Sequence, residues 1–176
     1  AAAQALSSSG TLSFTDIDTN AVIDVSAAVT TAAVWSGGDI DADLKAALEA
    51  GFSISGTDVE APGSVNWTYS VTDAFDFLDA GETITLTYTV TITDNNNATD
   101  TDTVQVTITG TNDAPVISAG IDDFGFTEAT DASAQALSSS GTLEFTDIDS
   151  NAVIDVSSAV TTAAVWSGGD IAADLK

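Results

Sequence analysis

The chain contains no cysteine, histidine, arginine or methionine, and each absence closes a class of chemistry. Without histidine, cysteine or arginine there is no nucleophilic triad, no reactive thiolate and no phosphoryl clamp. A carboxylate pair of the glycosidase kind is the one catalytic device left, and abundant aspartate produces such pairs by chance, so the chain reads as a non-enzyme. No disulfide is available, and the redox compartment stays open on composition. The only basic residues are Lys45 and Lys176, against 27 acidic ones, for a formal net charge of −25. Nucleic acid and anionic membrane surfaces both require basic patches and are excluded as partners. No apolar run reaches the length of a membrane span. No signal peptide is visible, and any targeting signal would lie outside this stretch. The acid excess has two readings. One is a solvated surface of the kind used in saline habitats, and the other is a supply of metal ligands.

What is present is strand pattern. Apolar residues make up 44 % of the chain and alternate in regular runs, so an ordered core is expected despite the charge. In 83–93 the even positions Ile84, Leu86, Tyr88, Val90 and Ile92 are apolar and the odd positions are all threonine. That period of two predicts a half-buried antiparallel strand. Val104, Val106 and Ile108 continue the pattern over 103–109, so the two runs form a hairpin across the polar stretch 94–102. Val65, Trp67, Tyr69 and Val71 alternate in the same way, and the phase of Trp67 points it into the core. Leu12 and Phe14 mark another strand, and 22–34 is rich in β-branched residues. One segment differs. Over 39–50 the positions Ile40, Leu44, Ala47 and Leu48 follow helical spacing, aspartates fill the first turn and Gly51 follows as a stop, which predicts a short helix.

The chain also repeats itself. Residues 132–176 match residues 1–45 at an offset of 131, with only five of the 45 pairs different. Solenoid repeats run about 20–50 residues; a period this long is that of a whole domain. A boundary falls at the Gly-Thr-Asn-Asp-Ala-Pro run ending at Pro115. Residues 1–113 then read as one repeat lacking its opening strand. Residues 114–176 read as the N-terminal part of the next, beginning with a strand at Val116. A complete repeat would carry about seven to nine strands, as immunoglobulin-like sandwiches do. The fold class expected is all-β, as tandem immunoglobulin-like or cadherin-like sandwiches with a short inserted helix near 39–50.

The run LDAGETITLTYTVTITDNNNATDTDTVQVTITGTNDAP, with GTLxFTDID at 10–18 and 141–149, resembles the VCBS and cadherin-like repeats of giant bacterial RTX-type adhesins, which leave the cell by a type I route. The resemblance implies immunoglobulin-like sandwiches, calcium at the junctions between them, and an extracellular place on the bacterial cell surface or in its biofilm.

Calcium takes six to eight hard oxygen ligands. Strand direction in such a sandwich brings Asp147 and Asp149 to the linker residues Asn112 and Asp113. Asp79 and Glu82 reach the same junction from the preceding repeat. Asp16 and Asp18 occupy the equivalent place at the upstream junction, and Asp94 lies in the hairpin turn beside them. The alternative is turn chemistry alone, since Asp and Asn favour turns without metal. The three Trp could stack on sugars, but Trp67 is in phase with the core, and Trp35 and its repeat mate Trp166 read as core or partly exposed; the threonine ladder 83–93 could bind ice, a weaker reading than exposed strand. The function expected is a structural extender of a calcium-rigidified surface adhesin or fibre, partnered by neighbouring repeats or by other copies of the chain. The alternative is a filament subunit assembled by strand exchange between chains, with 114–176 completed by 46–113 of a neighbour. A carbohydrate-binding module ranks third.

Overall fold

The structure, a computed structural model, describes residues 3–18, 20–130 and 134–165. Among the described residues the elements run β1 (Gln4–Phe14), β2 (Val22–Trp35), α1 (Ala42–Ala50), β3 (Phe52–Ile54), β4 (Gly56–Glu60), β5 (Gly63–Asp73), β6 (Thr83–Asp94), β7 (Thr99–Thr109), β8 (Val116–Ala119) and β9 (Glu144–Thr146). The described residues are all-β with one short helix.

Seven of these strands form two antiparallel sheets. One has the order β1-β5-β3 and the other β4-β2-β6-β7. The period-two pattern of β6 places Ile84, Leu86, Tyr88 and Val90 on the inner face, all buried, with the threonines outward and half-buried. Ile84, Leu86 and Tyr88 meet Tyr69 and Val71 of the opposite sheet, and α1 adds Leu44 and Leu48 to the same cluster. A second cluster joins Phe14, Ile23, Val25, Val65 and Val90. Leu48, Ile84 and Leu86 are fully buried, each worth about 1.5–3 kcal/mol relative to exposure.

The helix begins three residues later than its spacing suggests. Asp41 stands outside it as the N-cap, and its Oδ1 accepts from the amides of Asp43 at 2.9 Å and Leu44 at 3.3 Å, which satisfies donors the first turn leaves free. At the other end Gly51 stays right-handed, with φ −69°. Glycine is needed there for room, because a Cβ would lie 2.9 Å from the Tyr69 ring. The carbonyl of Leu48 accepts from the Tyr88 hydroxyl at 2.7 Å and the Tyr69 hydroxyl at 3.4 Å. Burial, followed by the neighbouring Tyr88, pushes the Tyr69 hydroxyl up to about 12, so it stays a donor.

The hairpin turn is tighter than the sequence suggests. β7 starts at Thr99, and pairing runs from Thr93↔Thr99 to Thr83↔Thr109. Asp94 closes the turn by accepting from the amides of Asn96 and Ala98 on Oδ1, and Asn97 takes a positive φ of 69°. Asp100 and Asp102 are polar yet paired, because their side chains are exposed on an edge strand. Strand β1 extends back through a serine run that lacks alternation, held by continuous pairing to β5 from Gln4↔Asp73 to Phe14↔Gly63. Strands β3 and β4 had no sequence signal of their own.

Residues 114–165 do not close a second sandwich. Among the described residues of this stretch, only β8 and β9 pair, through Val116↔Thr146, Ile117↔Phe145 and Ala119↔Glu144. The stretch 153–165, the repeat mate of the β-branched 22–34, forms no strand. In the first unit the same sequence is β2, gripped by β4 and β6; at 153–165 no such neighbours flank it, and Val153, Val160 and Val165 are largely exposed.

Candidate metal centre at the junction

The receiving surface is the loop between β5 and β6. Leu78 pins it into the core at 1 % exposure. Gly81 turns it at φ +83°, a conformation that favours glycine. The Glu82 amide donates to the Asp79 carbonyl at 3.0 Å. The end of β7 straps over this loop. Gly81 N–H donates to the Gly110 carbonyl at 3.2 Å, and Gly110 N–H to the Glu82 carbonyl at 2.8 Å. Any Cβ at Gly110 would strike Asp79 and Leu78.

Glu82 is the hub of the loop. Its Oε2 accepts from the Trp35 indole at 3.0 Å and from the Asp79 amide at 3.1 Å, and its Oε1 accepts from Asn151 Nδ2 at 2.9 Å. Trp35 is held in turn by an edge contact on Phe77, with ring centroids 5.0 Å apart.

The second unit docks here through 147–151. Asp147 Oδ1 accepts from the Asp149 amide at 3.0 Å, which folds the Asp-Ile-Asp run into a turn. Asp149 Oδ2 accepts from the Asp113 amide at 2.9 Å, and Ser150 N–H donates to the Phe77 carbonyl at 3.2 Å. Asp149 is 8 % exposed. One oxygen of Asp149 and one of Asp79, Oδ1 in each case, are buried with no hydrogen-bond partner. Burial pushes the Asp79 carboxyl above its ordinary value. Glu82, Asp149 and Asp147 add to that rise, and the Asn151 backbone opposes it.

Asp79, Asn112, Asp113, Asp147, Asp149 and Asn151 line one depression of about 450 Å³. Five of the six residues expected at this junction therefore share it, and Glu82 is tied to it through Asn151. Among the described residues, no group of three or more acid side chains is arranged to hold a metal ion. The donor set nevertheless fits a hard cation in kind, being oxygen only and including two orphaned buried carboxylate oxygens. Convergence on an ion would require side-chain rotation within the depression.

The other expected residues lie at the opposite end of the sandwich. Asp16 Oδ1 accepts from the Asp18 amide at 2.8 Å, the same turn as at 147–149. There Asp18 is exposed, whereas its repeat mate Asp149 is buried. The difference is the neighbour: 149–151 sit on a preceding unit. Asp94 pairs with Ile23 at this end, beside the 16–18 turn, and its Oδ1 is already engaged in its own hairpin.

No protein family, curated protein or solved structure matches the chain.

Sequence reasoning missed Asn151, the Phe77 carbonyl and the Trp35–Glu82 bond. A signal for the last was present in the small residues after Trp35, since a Cβ at Gly37 would strike the Glu82 carboxylate. Trp35 is half-buried and committed to Glu82 and Phe77, which leaves it poorly placed as a sugar platform. Trp67 keeps the inward phase of Val65 and Tyr69. It is half-buried against Phe52, 5.9 Å between centroids, and lies over Gly10. Trp166 lies outside the described residues.

Proposed function

We propose that the chain is a stretch of a structural extender, built of immunoglobulin-like sandwiches in tandem and stiffened by calcium between them. The observation that carries this reading is Asp149. The same Asp-Ile-Asp turn is exposed at Asp18 and buried at Asp149, where it takes a backbone bond from the linker and leaves Oδ1 orphaned in the depression that Asp79, with an orphaned Oδ1 of its own, also lines. Burying unpaired carboxylate oxygens is costly. A divalent cation removes that cost and joins residues of two repeats in one step. The role of such a joint is mechanical, to hold successive units in one direction so that the array projects. On this reading the parent molecule is an extracellular adhesin or fibre on a bacterial cell surface, and the repeats supply reach rather than recognition.

Affinity should fall in the range of extracellular calcium modules, roughly 10⁻⁴–10⁻³ M. The test is a melting curve with calcium and with chelator, paired with small-angle scattering. Calcium should raise the midpoint and narrow the spread of particle dimensions. Equal midpoints and equal scattering would sink the reading.

A further inference from the structure

The sandwich has one open side. The edge strands are β1 and β3 in one sheet and β4 and β7 in the other, and two cavities lie along the seam between β1 and β7. One, about 630 Å³, is lined by Leu6, Tyr69, Phe75, Leu78, Val106 and Ile108 among others. The second, about 330 Å³, lies between Leu12, Phe14 and Thr15 on one side and Asp100 and Asp102 on the other.

Exposed strand edges invite pairing, and proteins blunt them with charge or by keeping them short. Strand β7 carries Asp100 and Asp102, β4 carries Asp58 and Glu60, and β3 has only three residues. Strand β1 has none of these protections. It runs eleven residues without a charge.

The repeat states what fits there. In the second unit, residues 116–129 run antiparallel beside 135–146. Val116, Ile117 and Ala119 pair with Thr146, Phe145 and Glu144. Ile121 and Phe124 lie against 139–142. At the far end Gln135 accepts from the Ala129 amide at 2.7 Å and donates to the Thr127 carbonyl at 3.3 Å. Subtracting the period of 131 maps 135–146 onto 4–15, which is the unprotected edge of β1 together with both cavities.

We propose that the β1–β7 seam is a docking site for the strand 116–130 of a second copy of this chain, antiparallel to β1, with Val116 opposite Thr15. Its own strand 116–130 does not reach. Asp113 lines the cavity at the Gln4 end of the seam, whereas Val116 must reach the Thr15 end, about 35 Å away along β1. Three residues span at most about 11 Å. The register is a property of the repeat, so the same strand from any other copy of the sequence meets β1 in the same way. The incoming strand exchanges its short pairing with 144–146 of its own chain for the longer edge of β1, and brings Ile117, Ile121, Phe124 and Phe126, all substantially exposed where they now stand. The two phenylalanines fall between the Ala119 and Thr127 anchors, and so come level with the larger cavity. The site requires no metal.

The chain has no cysteine, so single cysteines report register cleanly. Thr15→Cys and Val116→Cys chains, mixed and mildly oxidised in physiological salt to screen their like charges, should form a mixed disulfide dimer. Directly paired antiparallel residues have the Cα separation a disulfide requires. Thr57→Cys on the β4 edge, paired with Val116→Cys, should not form it. In sedimentation of the full chain, Phe124→Asp with Phe126→Asp should weaken association more than about tenfold, and Val160→Asp should leave it intact. A chain that stays monomeric at millimolar concentration overturns the proposal. So does cross-linking that is equal at Thr57 and Thr15, or association lost with Val160→Asp and kept with the phenylalanine pair changed, which would make 153–165 the occupant.

Discussion

Trp35 donates its indole N–H to Glu82 Oε2 at 3.0 Å, and so ties the last residue of β2 to the loop that receives the second unit. The bond fixes Glu82 in a position where its other oxygen meets Asn151. Core packing and the joint between units are thereby linked through one side chain.

Trp35→Phe keeps the ring that packs on Phe77 and deletes the donor. Glu82 then loses a bond to a charged acceptor in a partly buried place. Stability of the first unit should fall by about 1 kcal/mol, with the melting midpoint lower by about 4–8 °C. Thermal denaturation in chelator checks this, and an unchanged midpoint would mean that the bond is idle.

Asp149→Ala and Asp18→Ala change the same turn position in two settings. The first removes the acceptor of the Asp113 amide and one orphaned oxygen at the joint. Its scattering profile in calcium should broaden, with circular dichroism little changed. Asp18→Ala alters an exposed turn and should change neither. Equal responses would show that burial of Asp149 contributes nothing to the joint.

The raised Asp79 carboxyl sets a pH dependence. Unfolded, the group titrates near 3.8; folded, it titrates higher. Between those two values the folded state binds more protons than the unfolded state, so stability falls as pH rises through that window. Without calcium, acidification from neutral towards that window should stabilise the chain relative to its Asp79→Asn variant, in which this slope disappears. With calcium bound the proton competes with the ion, and acidification should release it. Urea titrations of both chains across mildly acidic pH, with and without chelator, measure the slopes.

Gly10 and Gly141 are the same position of the repeat. A Cβ at Gly10 would lie 2.6 Å from the Trp67 ring, while at Gly141 the nearest atom is Ile121 Cγ2 at 3.8 Å. Gly10→Ala should destabilise by about 1–3 kcal/mol through overpacking, and Gly141→Ala should be close to neutral. Urea midpoints of the two variants give the comparison.

Much of the first unit was legible because its longest strands obey one rule without interruption. Threonine alternates with apolar residues through β6, and β5 and β2 follow weaker versions of the pattern. The turns Asp147–Asp149 and Asp16–Asp18 were readable because an Asp two residues before another can bond its amide wherever the pair occurs. The start of β1 was not legible, because serines owe their strand conformation to β5 rather than to any pattern of their own. Strand β3 is too short to carry a period. Residues 153–165 show the opposite case: their β propensity is real, but a strand needs neighbours, and propensity does not supply them. Of the joint, the carboxylates could be found by counting acids near turns. The partners that orient them, Trp35 and Asn151, carry no charge and gave no comparable signal.

The seat of 149–151 on Phe77 and Glu82 also bears on how the chain avoids folding wrongly. Residues 22–34 and 153–165 differ only at Ala27 and Ser158, so one slot between β4 and β6 has two claimants. Reaching β6 from either closes a loop of roughly 60 or roughly 70 residues, a difference of about 0.1 kcal/mol, which chooses nothing. Direction chooses. In the slot, Ile23 pairs with Asp94 at one end of β6 and Trp35 with Ile84 at the other. Once Asn151 is held by Glu82, Val153 lies two residues from the Ile84 end, with the whole length of β6 between it and the Asp94 end where its mate Val22 begins. The joint and the transposed arrangement of these two near-identical sequences are therefore mutually exclusive in a single chain.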